Sequence, residues 1–309
     1  MDERSIAKER AQNLWASFVR SHEAFARSAC IDVDPQVSVD DIGGLSLAKD
    51  EILTYACAAT SPEVYERWGT FPPSGMLLIG EHGTGKSLLA QALATQTETA
   101  YVSIDTPRMV IDVVHHGGKV GELIKGWSAV LEELPPLTLY FDELEFSQAR
   151  EVGVRGDLPV GPIMDFLLEM LDRAIACGQH LVVGATAHPA RIRHAFAQPG
   201  RLDRVVEVSP AFPEDVVDAL AIHARKAEAR ANRPLFDDID WLKIVGQSKE
   251  APIGDWVRVL HGVLRRKARA EASQEAPLAV TTADLWSEVE RFHQAQRRIS
   301  AANGGGNYL

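Results

Sequence analysis

Residues 75–96 read "GMLLIGEHGTGKSLLAQALATQ". The apolar run Met76–Ile79 has the length of a buried strand, and the periodic run from Lys86 predicts a helix. Between them, Gly80 to Ser87 follows the spacing glycine, four residues, Gly-Lys-Ser. In that strand–loop–helix context the spacing carries chemistry. Gly83 and Gly85 let backbone amides close around an anion at the positive end of a helix. Lys86 then reaches the outer phosphates of a nucleoside triphosphate, and the Ser87 hydroxyl ligates Mg2+. A glycine-rich turn with no ligand is the plain alternative.

On both sides of this stretch strands alternate with helices. "AYVSID" (100–105), "LTLYFDE" (137–143), "HLVVGAT" (180–186) and "RVVEVSP" (204–210) read as strands. "VGELIKGWSAVLEEL" (120–134) and "GPIMDFLLEMLDRAIA" (161–176) read as helices. The alternation predicts a mostly parallel sheet with helices on both faces. From Glu214 onward the pattern is helical throughout, a small all-α domain. Asp142 and Glu143 end the second of these strands. There Asp142 would hold Mg2+ through water and Glu143 would polarise an attacking water, unless the pair is simply a solvated acidic loop. Apolar residues from Ile6 to Phe25 recur at helical spacing, giving one amphipathic helix or two, packed on the main body or free to dock a partner. "DVDPQVSVDD" reads as a polar linker.

Bulk properties bound the rest. The chain has 309 residues, 46% hydrophobic and 24% charged, values ordinary for a globular protein. A formal charge of −11 argues against nonspecific nucleic-acid binding, which needs an excess of Lys and Arg. No apolar run approaches a membrane span, "MDERSIAKER" lacks the apolar core of a signal peptide, and three scattered cysteines fit a reducing compartment. The expectation is a cytoplasmic chain without nucleic acid or membrane as a partner.

The motifs and their order resemble the AAA family of ATPases. The resemblance begins at "VDDIGGLSLAKDEI" (39–52), takes in the phosphate loop, Asp142-Glu143, "GATAHP" (184–189) and "QPGRLDR" (198–204), and continues through "LAIHARK" (220–226) and "APIGDW" (251–256). It implies an α/β fold of the P-loop NTPase kind followed by a helical lid. The implied layout is a leading helical segment and linker (1–38), a nucleotide-binding domain (39–212), the lid (213–298) and a flexible tail (299–309). It implies ATP and Mg2+ as cofactors. Asp41, Ile42, Gly43, His223 and Gly254 would lie against the adenosine, and His82, Gly83, Thr84, Gly85, Lys86, Ser87 and Leu88 around the phosphates. Ser87 and Asp142 would serve the metal, and Glu143 and Lys86 the chemistry. The family assembles as ring hexamers, so a homo-hexamer is implied, with Arg201 as the arginine finger acting across the interface.

Ala187 and Gln198 depart from that pattern. The family usually has Asn at the first position, orienting the lytic water, and commonly a second arginine at the other. Loss of such a donor lowers the rate on the order of 10²-fold. Since Glu143, Lys86, Ser87 and Arg201 remain, the reading is a slow working ATPase, with Thr186 supplying part of the lost hydrogen bond. A nucleotide-gated scaffold is the alternative.

By the same resemblance "VIDVVHHGGKVGELI" carries the axial pore loop, with Val113, Val114 and His115 facing a substrate polypeptide. Many unfoldases place an aromatic there. "DELE" (142–145), "GGK" (117–119) and "HAF" (194–196) resemble the pachytene-checkpoint AAA ATPases. Those remodel HORMA-domain proteins, and their bacterial relatives serve antiphage signalling. "GGGNYL" (304–309) instead resembles the docking tails of proteasome-activating ATPases, or is a frayed terminus. The basic stretch Trp256–Ala270 reads as a helix surface meeting acidic groups of a neighbour, with nucleic acid as the rival reading.

Overall fold

The computed structural model describes residues 3–115, 120–145, 160–246, 248, 251–273 and 278–304. By internal contacts the chain forms two compact units. The first takes the residues before Asp41 together with Ser46–Glu81 and Gly85–Ser209. The second takes Asp41–Leu45, His82–Thr84 and the residues from Pro210 onward.

The first unit is built on a six-stranded sheet in the order β1-β3-β4-β5-β2-β6. Its strands are β1 (Ala29–Asp32), β2 (Met76–Ile79), β3 (Ala100–Asp105), β4 (Leu137–Asp142), β5 (Leu181–Thr186) and β6 (Arg204–Glu207). All neighbours pair in parallel except β1, which runs antiparallel along β3 with Ala29 opposite Ile104. The expected mostly parallel sheet is therefore present, with one strand more than periodicity showed. β1 alternates half-buried and exposed residues over only four positions, too short to register as a strand on its own.

Side-chain alternation assigns the two faces of β4. Leu137, Leu139 and Phe141 join the cluster built with α1 (Glu3–Ser21), α2 (Glu23–Ala26), α7 (Val120–Glu133) and α8 (Val160–Ala176). Trp127 of α7 sits at its centre, stacked on Phe25 at 5.6 Å and edge-on to Trp15 and Phe141, with its indole N–H donated to the Met170 carbonyl at 2.9 Å. The leading amphipathic stripe is core-facing from Ala11 onward, with Ala11, Trp15, Phe18 and Phe25 buried, whereas Ile6 is exposed. The opposite face of the sheet meets α5 (Lys86–Gln96), itself covered by α3 (Ser46–Thr60). α4 (Pro62–Arg67) follows α3, and α6 (Thr106–His115) follows β3.

The second unit is helical: α9 (Glu214–Ala231), α10 (Trp241–Gly246), α11 (Ile253–Ala272) and α12 (Thr282–Gly304). Val216, Leu220, Trp256, Leu260, Val263, Leu285 and Val289 form its core. Among the described residues no helix is long and apolar enough to cross a membrane.

Candidate active site

Because β4, β5 and β2 are adjacent and parallel, their carboxyl ends converge, the position where open α/β sheets bind ligands. The phosphate loop leaves β2 there, anchored by the Gly80 N–H donated to the Thr186 carbonyl at 3.1 Å. Gly83 and Gly85 have φ of +78° and +106°, left-handed values that bar most side chains. Lys86 is buried, and its ammonium donates to the Gly80 and Glu81 carbonyls at 2.6 and 2.8 Å. Burial pushes its pKa down, while Asp142, Glu145 and Glu143 oppose that shift. Thr84 is buried, Leu88 half-buried, and His82 and Ser87 are exposed.

At the end of β4, Asp142 is half-buried and accepts two hydrogen bonds at 3.0 Å, from the Tyr140 hydroxyl and the Glu143 N–H. Burial and Asp142 push the Tyr140 pKa up, so the hydroxyl stays a donor. Glu143 is exposed, with φ of +51°, a conformation a non-glycine residue holds only when its surroundings impose it. Ser87, Gln91, Tyr101, Tyr140, Asp142 and Glu143 line one cavity of about 610 Å³. A hydroxyl and hard carboxylate oxygens suit Mg2+. Lys86 beside left-handed glycines suits a triphosphate. Ser87 and Asp142 could hold the metal there.

Within the second unit, Asp41–Leu45 lies along α9. Asp41 pairs with Lys226 at 2.8 Å, and Asp215 accepts the Leu45 N–H at 3.0 Å. Ile42 is buried, and a Cβ on Gly43 would fall 2.2 Å from the Ala219 nitrogen. The Gly254 N–H donates to the Gly83 carbonyl at 3.0 Å, so the glycine of "APIGDW" meets the glycine of the phosphate loop. His223 is half-buried, edge-on to His261 at 6.1 Å. Burial, then His261, Lys226 and Arg230, push its pKa below the usual histidine value, so it is neutral at pH 7.

Arg201 is held within its own chain by a two-pronged pair with Asp172, at 2.6 and 2.8 Å, and by the Ala195 carbonyl at 2.8 Å. Val113 packs on the edge of the core, and Val114 is exposed. The His115 side chain, Gly117–Lys119 and the tail Asn307–Leu309 lie outside the described residues. Thr186 is fully buried and its hydroxyl accepts the His188 N–H at 3.0 Å, so it is engaged in its own turn. Trp256–Ala270 lies on α11, where Arg266 and Lys267 pair with Glu288 and Asp284 of α12. Those basic residues meet acids of their own chain.

Sequence reasoning missed three participants. Tyr140 is a lone hydroxyl in an apolar strand, a visible oddity. Asp172 has no local signal. Glu145, the last acid of "DELE", is buried and accepts the Ala187 N–H at 3.1 Å.

The profile of the ATPase family associated with various cellular activities (AAA) matches residues 76–210. Protein SAV of Sulfolobus acidocaldarius is 32% identical over 211 residues, 68% of this chain and 26% of that protein. The proteasome-activating nucleotidase of Methanocaldococcus jannaschii is 29% identical over 275 residues, 88% of this chain and 61% of the relative. That of Archaeoglobus fulgidus is 30% identical over 264 residues, with 84% and 63% covered. The chain spans less than two thirds of the length of each of these relatives.

Proposed function

We propose that this chain, whose residues 76–210 match the AAA family of ATPases, a family that works with ATP and Mg2+, hydrolyses ATP within a ring of like subunits to change the conformation of a protein partner. The observation that carries the proposal is the convergence of buried Lys86, half-buried Asp142 and exposed Glu143 at one end of the sheet.

Residues 39–212 form the nucleotide-binding body in this reading, and 213–298 the lid. His82, Gly83, Thr84, Gly85 and Leu88 wrap the phosphates, and Lys86 holds the outer two. Asp41, Ile42, Gly43, neutral His223 and Gly254 enclose the adenosine. Ser87, and Asp142 through water, would hold Mg2+, which would supply positive charge against the phosphate oxygens. Glu143 accepts a proton from water as the water oxygen bonds to the γ-phosphorus. The bond from that phosphorus to the β–γ bridging oxygen breaks, and its electron pair leaves with ADP. Arg201 of a neighbouring subunit faces the transferring group. The homo-hexamer and the gripping of substrate by Val113, Val114 and His115 belong to the same proposal.

The similarity to two proteasome-activating nucleotidases supports a proteasome-type protease as the partner the ring serves. A HORMA-domain partner and a role in antiphage signalling rest only on the short motifs at 142–145, 117–119 and 194–196.

Steady-state ATP hydrolysis against protein concentration, wild type beside Glu143→Gln, tests the core of the proposal. A rate per subunit that rises cooperatively with concentration and vanishes in the variant is expected. Tight ATP binding with no turnover in either protein would overturn it and leave a nucleotide-gated scaffold.

A further inference from the structure

Among the titratable groups near the site, Glu145 has no part in the chemistry above, yet it is buried, with a carboxylate oxygen within 4.8 Å of a ring nitrogen of His188. Glu145 is 8% exposed. A carboxylate removed from water is costly unless hydrogen bonds replace its hydration. One oxygen accepts the Ala187 N–H at 3.1 Å, and the other has no hydrogen-bond partner among the described residues. For stability alone, an apolar residue of similar volume would serve at least as well.

Its position supplies a reason. Glu145 follows two residues after Glu143, whose left-handed backbone needs outside support. Leu144 between them is buried, and one of its methyl groups lies 2.6 Å from where a Cβ on Gly184 of β5 would fall, so this turn is packed directly on β5. Ala187 is the first residue beyond β5, and its side chain has no polar atom with which to hold the neighbouring strand end. The bond from the Ala187 N–H to Glu145 spans that gap in the opposite sense, with the side chain supplied by the β4 turn and the backbone by β5. Glu145 also contributes to the field that opposes the downward shift of Lys86.

We infer that Glu145 is a positioning residue for hydrolysis: it ties the Asp142–Glu143 turn to the end of β5, and so holds Glu143 where a polar side chain at position 187 would otherwise help to orient the reaction. The inference rests on the hydrolysis reading of the site and explains how a chain with alanine at 187 can keep turnover.

The test compares wild type, Glu145→Ala, Glu145→Gln and Glu145→Ala/Ala187→Asn in steady-state ATP hydrolysis, with binding of the fluorescent analogue mant-ATP and thermal melting measured in parallel. Glu145→Ala is expected to lose about 10²-fold in kcat, with mant-ATP affinity held within about threefold. Glu145→Gln keeps an oxygen to accept the Ala187 N–H and should recover at least about tenfold of that loss. Adding Ala187→Asn to Glu145→Ala should recover a comparable part by supplying a polar group from the β5 side. Wild-type turnover in Glu145→Ala would overturn the inference. So would a parallel loss of melting temperature, mant-ATP binding and kcat that neither second variant relieves, since that is the pattern of a purely structural residue. A wild type that binds mant-ATP and never turns over overturns the hydrolysis reading itself, a result distinct from a silent Glu145→Ala beside an active wild type.

Discussion

Gly43→Ala tests the packing of Asp41–Leu45 on α9, and with it the proposed adenosine contact, most directly. The added methyl would lie 2.2 Å from the Ala219 nitrogen and 2.4 Å from its Cα. Ordinary carbon contacts begin near about 3.5 Å, so relief requires a shift of roughly 1 Å. The obstructing atoms are α9 backbone and cannot rotate away, so Asp41–Leu45 must move. Movement strips buried Ile42 and Leu45 from their packing, lengthens the Leu45 N–H bond to Asp215, and separates Asp41 from Lys226. Overpacking a close-packed site costs about 1–3 kcal/mol, and a backbone obstacle places this case near the upper figure. Melting of this unit should fall by roughly 10 °C or more, at about 4–8 °C per kcal/mol for a domain near 100 residues. If the displaced segment is the adenosine wall, mant-ATP binding weakens by up to about 10²-fold. Gly246→Ala is the control, because a methyl there meets nothing within 4 Å among the described residues. A Gly43→Ala protein that melts and binds like wild type would refute the packing of this segment on α9. Loss of stability with unchanged affinity would refute its role in the cradle alone.

Acidification should weaken the second unit. Because the folded pKa of His223 lies below its unfolded value, no penalty operates well above pH 6.5, and stability falls as pH drops below 6.5 toward the folded value. Thermal melts from pH 8 to pH 5 should show this fall, reduced in His223→Gln; identical slopes in the two proteins would refute it. Trp127→Ala removes a fully buried indole stacked on Phe25 together with its hydrogen bond to the Met170 carbonyl, at a cost of about 3–5 kcal/mol in urea denaturation. A cost under about 1 kcal/mol would mean that α1 and α2 do not depend on this cluster. The Asp172–Arg201 pair is part-exposed and contributes no more than about 1 kcal/mol, so Asp172→Asn should change turnover at most about fivefold, whereas Arg201→Ala should lower it by about 10³-fold. Equal losses in the two variants would show that Arg201 works while paired to Asp172.

The phosphate loop, the strands that flank it and the acids ending β4 were legible because each depends on neighbours a few residues away. Alternation of apolar runs sets strand and helix. Gly83 and Gly85 permit left-handed backbone, and Lys86 follows at a fixed offset. Such features are set by local dihedral preference and periodicity, so the sequence by itself determined the five parallel strands, the phosphate loop, and the placement of Lys86 at the start of α5 and of Asp142 and Glu143 at the end of β4. The tertiary structure alone decided the rest. β1 is a strand because β3 presents an open edge to it, not because four residues announce one. Asp41–Leu45 finds its partner Asp215 170 positions away, Arg201 finds Asp172 at 29, and Glu145 finds the Ala187 amide at 42. Those pairings follow from which elements pack side by side, and no local pattern encodes them. They are where Arg201 acquires its restraint and the alanine at 187 its counterpart.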